Sequence, residues 1–189
     1  FPWPTTLSDV ATAIDQGLAE AARHGIDTSR RALLGHSAGG GLAAWATSRR
    51  SLPEDAVGAD PEAAAFDLVV LHAPVACLGI GSAEKLGDGA IDTFMGGRPA
   101  DVPERYAVTD PHALTPDPGS RRLLLHGTED VDVPVSQSES YLAHLQAHLL
   151  GHLAVHRILL FQRPLAKRDQ VRERGQHGVR HRVLGPGLV

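Results

Sequence analysis

The sequence contains little of what several classes of protein depend on. Cys77 is its one cysteine in 189 residues, so an internal disulfide is excluded, and no Cys and His residues have the spacing of zinc ligands. No stretch approaches the roughly 18 uninterrupted apolar residues of a membrane span, since even the apolar segment 68–80 contains His72 and Pro74. We therefore expect no metal, no cofactor and no membrane partner, and a reducing compartment, the cytoplasm, as the location.

The first residues also lack the features of a secretory signal. The run Phe1-Pro2-Trp3-Pro4 contains no starting Met, no basic region and no apolar core. The chain is therefore expected to begin part-way through its gene. Its 42% of hydrophobic and 21% of charged residues are enough for one ordinary soluble core.

Charge is distributed unevenly along the chain. Residues 1–150 carry 10 basic and 20 acidic side chains, whereas residues 151–189 carry 8 basic and 2 acidic ones. The basic tail has no aromatic residue after Phe161 and no recognisable binding motif, so we expect no nucleic-acid partner. We expect residues 1–150 to form a partial α/β core, and residues 151–189 to form a last strand and an atypical basic tail that is disordered or read in a shifted frame.

Apolar runs alternate with helical spacing, which predicts a parallel α/β sheet with crossover helices. The predicted strands cover 31–34, 66–71, 122–126 and 153–161, and the predicted helices cover 7–24, 42–46 and 136–149. For the first helix we predict Ser8 as the N-cap and Gly25 as the stop. Residues 74–120 are rich in Gly, Pro and Asp and are predicted to be a long insertion with one or two short helices.

One motif carries the clearest chemistry. The run Gly35-His36-Ser37-Ala38-Gly39 matches G-x-S-x-G, in which a strained turn lifts a serine hydroxyl above the sheet. A side chain at Gly35 or Gly39 is expected to collide with the neighbouring strand or helix. The pattern alone is weak, and the alternative is an ordinary Gly-rich turn. Its place between a predicted strand and a predicted helix favours Ser37 as a nucleophile, with the N–H of Ala38 as an oxyanion donor.

A serine nucleophile needs a histidine base and a carboxylate that orients this base. The usual order along such a chain is serine, acid, histidine. Asp130 follows the third predicted strand, in a loop that emerges at the same sheet edge as Ser37. We predict Asp130 as the acid, with Asp132 as the alternative, and a structural role for His126, which precedes the turn glycine.

Several stretches together resemble the kynurenine formamidase and feruloyl-esterase-like carboxylesterase branch of the α/β hydrolases. They are residues 21–27, 35–40, 95–99, 102–106 and 126–134. The resemblance covers about residues 1–145. It implies that the four predicted strands are the fifth to eighth of an eight-stranded sheet, with Ser37 as nucleophile and Asp130 as acid.

The chain departs from that branch in two places. The branch takes its second oxyanion amide from a His-Gly-Gly loop after the third strand, and this sequence begins downstream of such a loop, which leaves the fifth strand as an open edge. The branch also places its histidine in a Gly-x-Gly-His segment after the last strand, where residues 160–163 hold no histidine. We predict His177, in a Gly-Gln-His-Gly loop, as the base, with His156 as the alternative; a solvated or packing role stays open for both.

The sequence therefore predicts a serine hydrolase that cleaves small carboxylic esters or amides, in the manner of an esterase or arylformamidase. Two alternatives stay open. One is a catalytically inactive α/β-hydrolase fragment, which the missing histidine motif favours. The other is a serine peptidase of the prolyl-oligopeptidase type. Neither the substrate nor the oligomeric state can be derived from the sequence.

Overall fold

The structure, a computed structural model, describes residues 2–148 and the backbone of residues 157–161. The strands are β1 (Ala32–His36), β2 (Leu68–His72), β3 (Arg121–Gly127) and β4 (Arg157–Phe161). The helices are α1 (Thr5–Arg23), α2 (Ala38–Ala46), α3 (Leu78–Ala83), α4 (Leu86–Met95), α5 (Pro103–Thr109) and α6 (Ser136–His148). Within these ranges, no helix combines the length and apolarity that a membrane crossing requires.

The four strands form one parallel sheet in the order β1-β2-β3-β4. Parallel neighbours cannot be joined by a tight hairpin and need a crossover, which α2, α3 to α5, and α6 provide in turn. The strands are short apolar runs, as expected where a sheet is covered by helices. The prediction of a parallel α/β sheet is confirmed. Of the fourth predicted strand, residues 157–161 are a strand and the remainder lies outside the described residues.

Helix α1 begins earlier than predicted, and the prediction of Ser8 as its N-cap is wrong. The cap residue is Pro4, whose carbonyl accepts the N–H groups of Leu7 and Ser8 at 3.0 and 3.1 Å. Leu7 is fully buried, so burial of its side chain holds the first turn in helical conformation. The helix ends as predicted, since Gly25 follows it with φ +69°, the left-handed conformation that glycine adopts without penalty.

The main core lies between one face of the sheet and helices α2 and α6. Its buried residues are Ala43, Ala44, Phe66, Val69, Leu71, Ala76, Cys77, Leu124, Tyr141 and Leu145. A second cluster joins α1 to α2 through Leu7, Ala11 and Trp45. Together the two clusters fix the start of α2 against the end of β1, where the motif serine lies.

One edge of the sheet is open in the described part of the chain. β1 pairs with β2 alone, and the side chain of Leu34 is 72% exposed. Exposed backbone at a sheet edge can pair with a further strand. This arrangement agrees with the open edge expected from the sequence.

Residues 74–120 contain more helix than predicted. Three helices, α3, α4 and α5, fold over one end of the sheet, where one or two short helices were expected. Asp110 joins them: its buried carboxylate accepts the N–H groups of Leu78 at 2.9 Å, Gly79 at 2.8 Å and His112 at 3.1 Å. One side chain thereby accepts the free backbone N–H groups at the start of α3 and in the turn after α5. These hydrogen bonds position both elements beside Ser37.

Candidate active site

Ser37 lies in the sharp turn between β1 and α2. Its backbone has φ +56° and ψ −124°, a conformation that a non-glycine residue adopts only when its surroundings impose it. The surroundings do so through hydrogen bonds: the Ser37 N–H donates to the His72 carbonyl at 2.9 Å, and the Ser37 carbonyl accepts the Val75 N–H at 3.0 Å. The turn expected for the motif is therefore present and is held by the end of β2.

The two glycines of the motif are not equivalent. A Cβ atom at Gly35 would lie 2.2 Å from the Gly39 carbonyl oxygen and 2.9 Å from the Ala43 Cβ, so the predicted collision is confirmed there. At Gly39 the prediction is wrong, because a Cβ atom would have no heavy atom within 4 Å. The contact that matters at Gly39 is made by its backbone, which β1 approaches closely. Gly41 has a steric role that the sequence did not show, since its Cβ would meet the Val75 carbonyl oxygen at 2.1 Å.

Ala38 is the first residue of α2. The first N–H groups of an α-helix have no intrahelical acceptor, and they carry the positive end of the helix dipole. The Ala38 amide is therefore placed beside the Ser37 side chain with the polarity that an oxyanion requires. Both residues line the same cavity.

Asp130 lies in the turn after β3, and its carboxylate is fixed in position. Oδ1 accepts the N–H groups of Asp132 at 3.0 Å and Val133 at 2.9 Å. Partial burial raises the pKa of this carboxyl, but the two N–H donors, with His126 and His36 nearby, outweigh burial and leave the pKa below its ordinary value. Asp130 is thus an ionised group whose second oxygen, Oδ2, lies 3.8 Å from the His126 Nε2.

The alternative acid, Asp132, is exposed and lines the cavity itself. His126 is completely buried, with Nδ1 2.7 Å from the Ser138 hydroxyl oxygen and Nε2 2.9 Å from the Val133 carbonyl oxygen. Because both ring nitrogens have partners, His126 stabilises the turn of residues 130–133, called the acid turn below. This agrees with the structural role expected for His126. The Asp130 carboxylate is 3.8 Å from the ring.

The predicted bases, His177 and the alternative His156, lie outside the described residues. Among the described residues, two histidines lie near the turn that holds Ser37. His36 and His72 end adjacent strands in register, and their ring centroids are 4.8 Å apart. No group of three His, Cys, Asp or Glu side chains within the described ranges could hold a metal ion.

A cavity of about 430 Å³ opens beside Ser37. This volume is within the range of small-molecule sites. Its lining residues are Thr6, Ser37, Ala38, Gly41, Leu42, Trp45, Val75, Leu78, Leu86, Gly87, Ala90, Ile91, Phe94, Thr109, Pro111, Asp132 and Val133. The structure therefore brings the motif serine, the first amide of α2 and the acid turn to one apolar cavity.

The wall that α4 contributes to the cavity was not predicted from the sequence. Leu86, Ala90 and Phe94 recur every four residues, a spacing that predicts one face of a helix. Gly87 and Gly89 interrupt this pattern with φ +62° and +84°, and such glycines favour a loop assignment. The four-residue spacing was therefore the one sequence pattern that indicated this wall, and only the tertiary structure shows that it faces the cavity.

Comparison with known proteins gives a consistent result. A family model described as BD-FAE matches residues 1–145. Among curated proteins, none matches the chain. An acetyl ester-xyloside bifunctional hydrolase from Caldicellulosiruptor lactoaceticus is similar in structure, with a TM-score of 0.63 and 25% identity over 86% of this chain and 57% of its own.

Two further solved structures share the fold. A carboxylesterase from Lactobacillus plantarum WCFS1 has a TM-score of 0.63 and 20% identity, covering 85% of this chain and 54% of its own. A puromycin hydrolase has a TM-score of 0.55 and 25% identity, covering 82% of this chain and 20% of its own. The parallel sheet and its crossover helices are those of the α/β hydrolases. The chain spans little more than half the length of the first of these esterases.

Proposed function

The chain belongs to the BD-FAE family, an esterase domain of the α/β-hydrolase type, and from this premise we propose that it hydrolyses carboxylic esters or amides through an acyl-Ser37 intermediate. One observation carries the proposal. Ser37 is held at φ +56° between a strand and a helix, at the mouth of an apolar cavity that also holds the Ala38 amide and the acid turn. A strained serine beside a helix N-terminus is suited to acyl transfer.

The proposed reaction has two halves. The Ser37 hydroxyl attacks the carbonyl carbon while a histidine takes its proton, and the Ala38 N–H donates to the resulting oxyanion. Collapse of this intermediate expels the alcohol or amine, which receives the proton from the histidine. Water, deprotonated by the same histidine, then attacks the acyl-serine and releases the carboxylic acid.

The ionised Asp130 carboxylate is proposed to orient and stabilise the histidine. Its pKa lies below its ordinary value, so it remains charged while the imidazolium forms. His177 is the proposed base, as the sequence predicts. Carboxylic esters and amides are the proposed substrate classes, with arylformamides as the amide candidate that the sequence resemblance implies. Amides stay in the proposal beside esters, because acyl transfer to a serine serves both kinds of bond.

A fluorophosphonate probe tests the acyl-serine step directly, because labelling needs an activated serine and no deacylation. We expect the chain to be labelled at Ser37 and the Ser37→Ala variant to lose labelling. Ser8→Ala is the matched control, since Ser8 is an exposed serine of α1. Equal labelling of the Ser37→Ala variant would remove this residue from the mechanism.

The base is tested in the same assay. His177→Gln should slow labelling by about a hundredfold or more, as expected for loss of a general base, whereas His181→Gln should leave the rate unchanged. Labelling of the wild-type chain without turnover of any ester or amide would favour the inactive-fragment alternative.

A further inference from the structure

The cavity beside Ser37 is almost entirely hydrocarbon. Leu42, Leu78, Ile91 and Phe94 form its walls, and Trp45 is buried at its inner part. Asp132 is the one charged residue among the described residues that line it. Since Asp132 belongs to the exposed acid turn, the charge stands at the mouth and the interior is apolar.

Two polar groups of the interior already have partners. The indole N–H of Trp45 donates to the Val108 carbonyl at 3.0 Å. The Thr109 hydroxyl accepts the indole N–H of Trp3 at 3.0 Å. The interior therefore offers a polar ligand few hydrogen-bond partners, and a polar group placed there without one would lose its hydrogen bonds to water.

The cavity also has a direction. Ser37, Gly41 and Trp45 are four residues apart and all line it, so it follows one face of α2. Eight residues of helix rise about 12 Å. An extended chain of atoms advances about 1.2 Å per bond, and helical side chains lean toward the N-terminus, so at most about ten bonds lie between the level of the serine and that of the indole.

α4 closes the far side. Leu86, Gly87, Ala90 and Ile91 line the cavity, and Gly87 has φ +62°. This left-handed turn brings its backbone, with no side chain, to the cavity wall. The result is a passage bounded by α2 on one side and α4 on the other.

From these features, and resting on the proposed function, the geometry points to an unbranched aliphatic acyl group of medium length, up to about ten carbons, as the group that this site binds beside Ser37. The alkyl chain lies along α2 toward Trp45, and the carbonyl carbon lies at the serine. Each methylene that leaves water for such a wall strengthens binding by up to about fourfold. An acetyl group would leave most of the cavity unfilled.

The test measures labelling of the chain by n-alkyl ethoxy fluorophosphonates that carry from two to sixteen carbons. We expect the second-order rate constant to rise by two- to fourfold per methylene up to about ten carbons, and then to level off or fall. A rate that does not depend on chain length, or that is fastest for the two-carbon probe, would overturn the inference.

A pair of variants localises the effect. Ala90 lines the cavity and Ala107 is an exposed alanine of α5 outside it. Ala90→Phe should slow labelling by the ten-carbon probe about tenfold more than labelling by the two-carbon probe, whereas Ala107→Phe should change neither rate. Equal effects of Ala90→Phe on both probes would contradict an alkyl passage at this wall.

A second measurement separates this inference from the proposed function. Binding of 1-butanol, 1-octanol and 1-decanol to the Ser37→Ala variant, followed by calorimetry, needs no reaction. Affinity that rises with chain length supports the passage even if no probe labels the wild-type chain, in which case only the proposed function fails. Labelling of Ser37 together with no dependence of alkanol affinity on length would refute the passage and leave the proposed function standing.

Discussion

Exchange of the two motif glycines for alanine should affect stability in opposite directions. At Gly35 the new Cβ would lie 2.2 Å from the Gly39 carbonyl oxygen, 2.7 Å from the Gly39 carbonyl carbon and 2.9 Å from the Ala43 Cβ. All three contacts are too short, and two are with backbone that cannot rotate away. Forcing β1 and α2 apart should cost about 1–3 kcal/mol or more.

At Gly39 the same exchange meets nothing within 4 Å. The residue lies inside α2, where alanine is favoured over glycine by about 0.5–1 kcal/mol. The two variants should therefore differ by about 2–4 kcal/mol in the free energy of unfolding. For a chain of this size, the difference corresponds to roughly 5–15 °C in Tm.

Urea and thermal unfolding of both variants, followed by tryptophan fluorescence, measure this difference. The fluorophosphonate rate gives a second readout, since separation of β1 from α2 would also displace Ser37. A Gly35→Ala variant that is as stable as Gly39→Ala, and is labelled at the wild-type rate, would show that the close contact between strand and helix is not what holds the turn.

Two further predictions concern titratable groups. The pKa of Asp130 is lowered by the Val133 and Asp132 N–H groups despite partial burial. Its contribution to stability is therefore present above the unfolded pKa, near 3.9, and is lost as pH falls through the folded pKa. Asp130→Asn should flatten this acid loss of stability relative to wild type in urea titrations between pH 6 and 2, and an Asp130 pKa above 3.8 by NMR would contradict the prediction. Burial raises the pKa of the Cys77 thiol to about 12. A disulfide reagent at pH 8 should therefore modify this thiol only after urea is added. Rapid stoichiometric modification of the folded chain would show instead that the thiol is accessible.

The sheet could be predicted from the sequence because each of the first three strands is a short apolar run that ends at a histidine or a glycine. Gly35 and Gly127 marked two strand ends to within one residue. The start of α1 could not be predicted, since Ser8 is a good cap residue by composition, whereas burial of Leu7 decided the first turn. At this position, burial of a side chain outweighed the capping preference of the local sequence.

The candidate site divides in the same way. The motif pattern singled out Ser37 and Ala38 as candidates, and chain order singled out Asp130, because these predictions depend on local sequence. The cavity could not be predicted, since it requires α4 to fold back over α2 through residues with positive φ such as Lys85 and Gly87. Nothing in a short window of sequence shows which helices will face each other.

The open side of β1 has a geometric consequence for the reaction centre. A segment hydrogen-bonded to β1 would lie about 4.8 Å from it and would cover Leu34. If it ran parallel to β1, it would end level with the turn that holds Ser37. Such a parallel segment would therefore place its end beside Ser37, on the side opposite to β3 and Asp130.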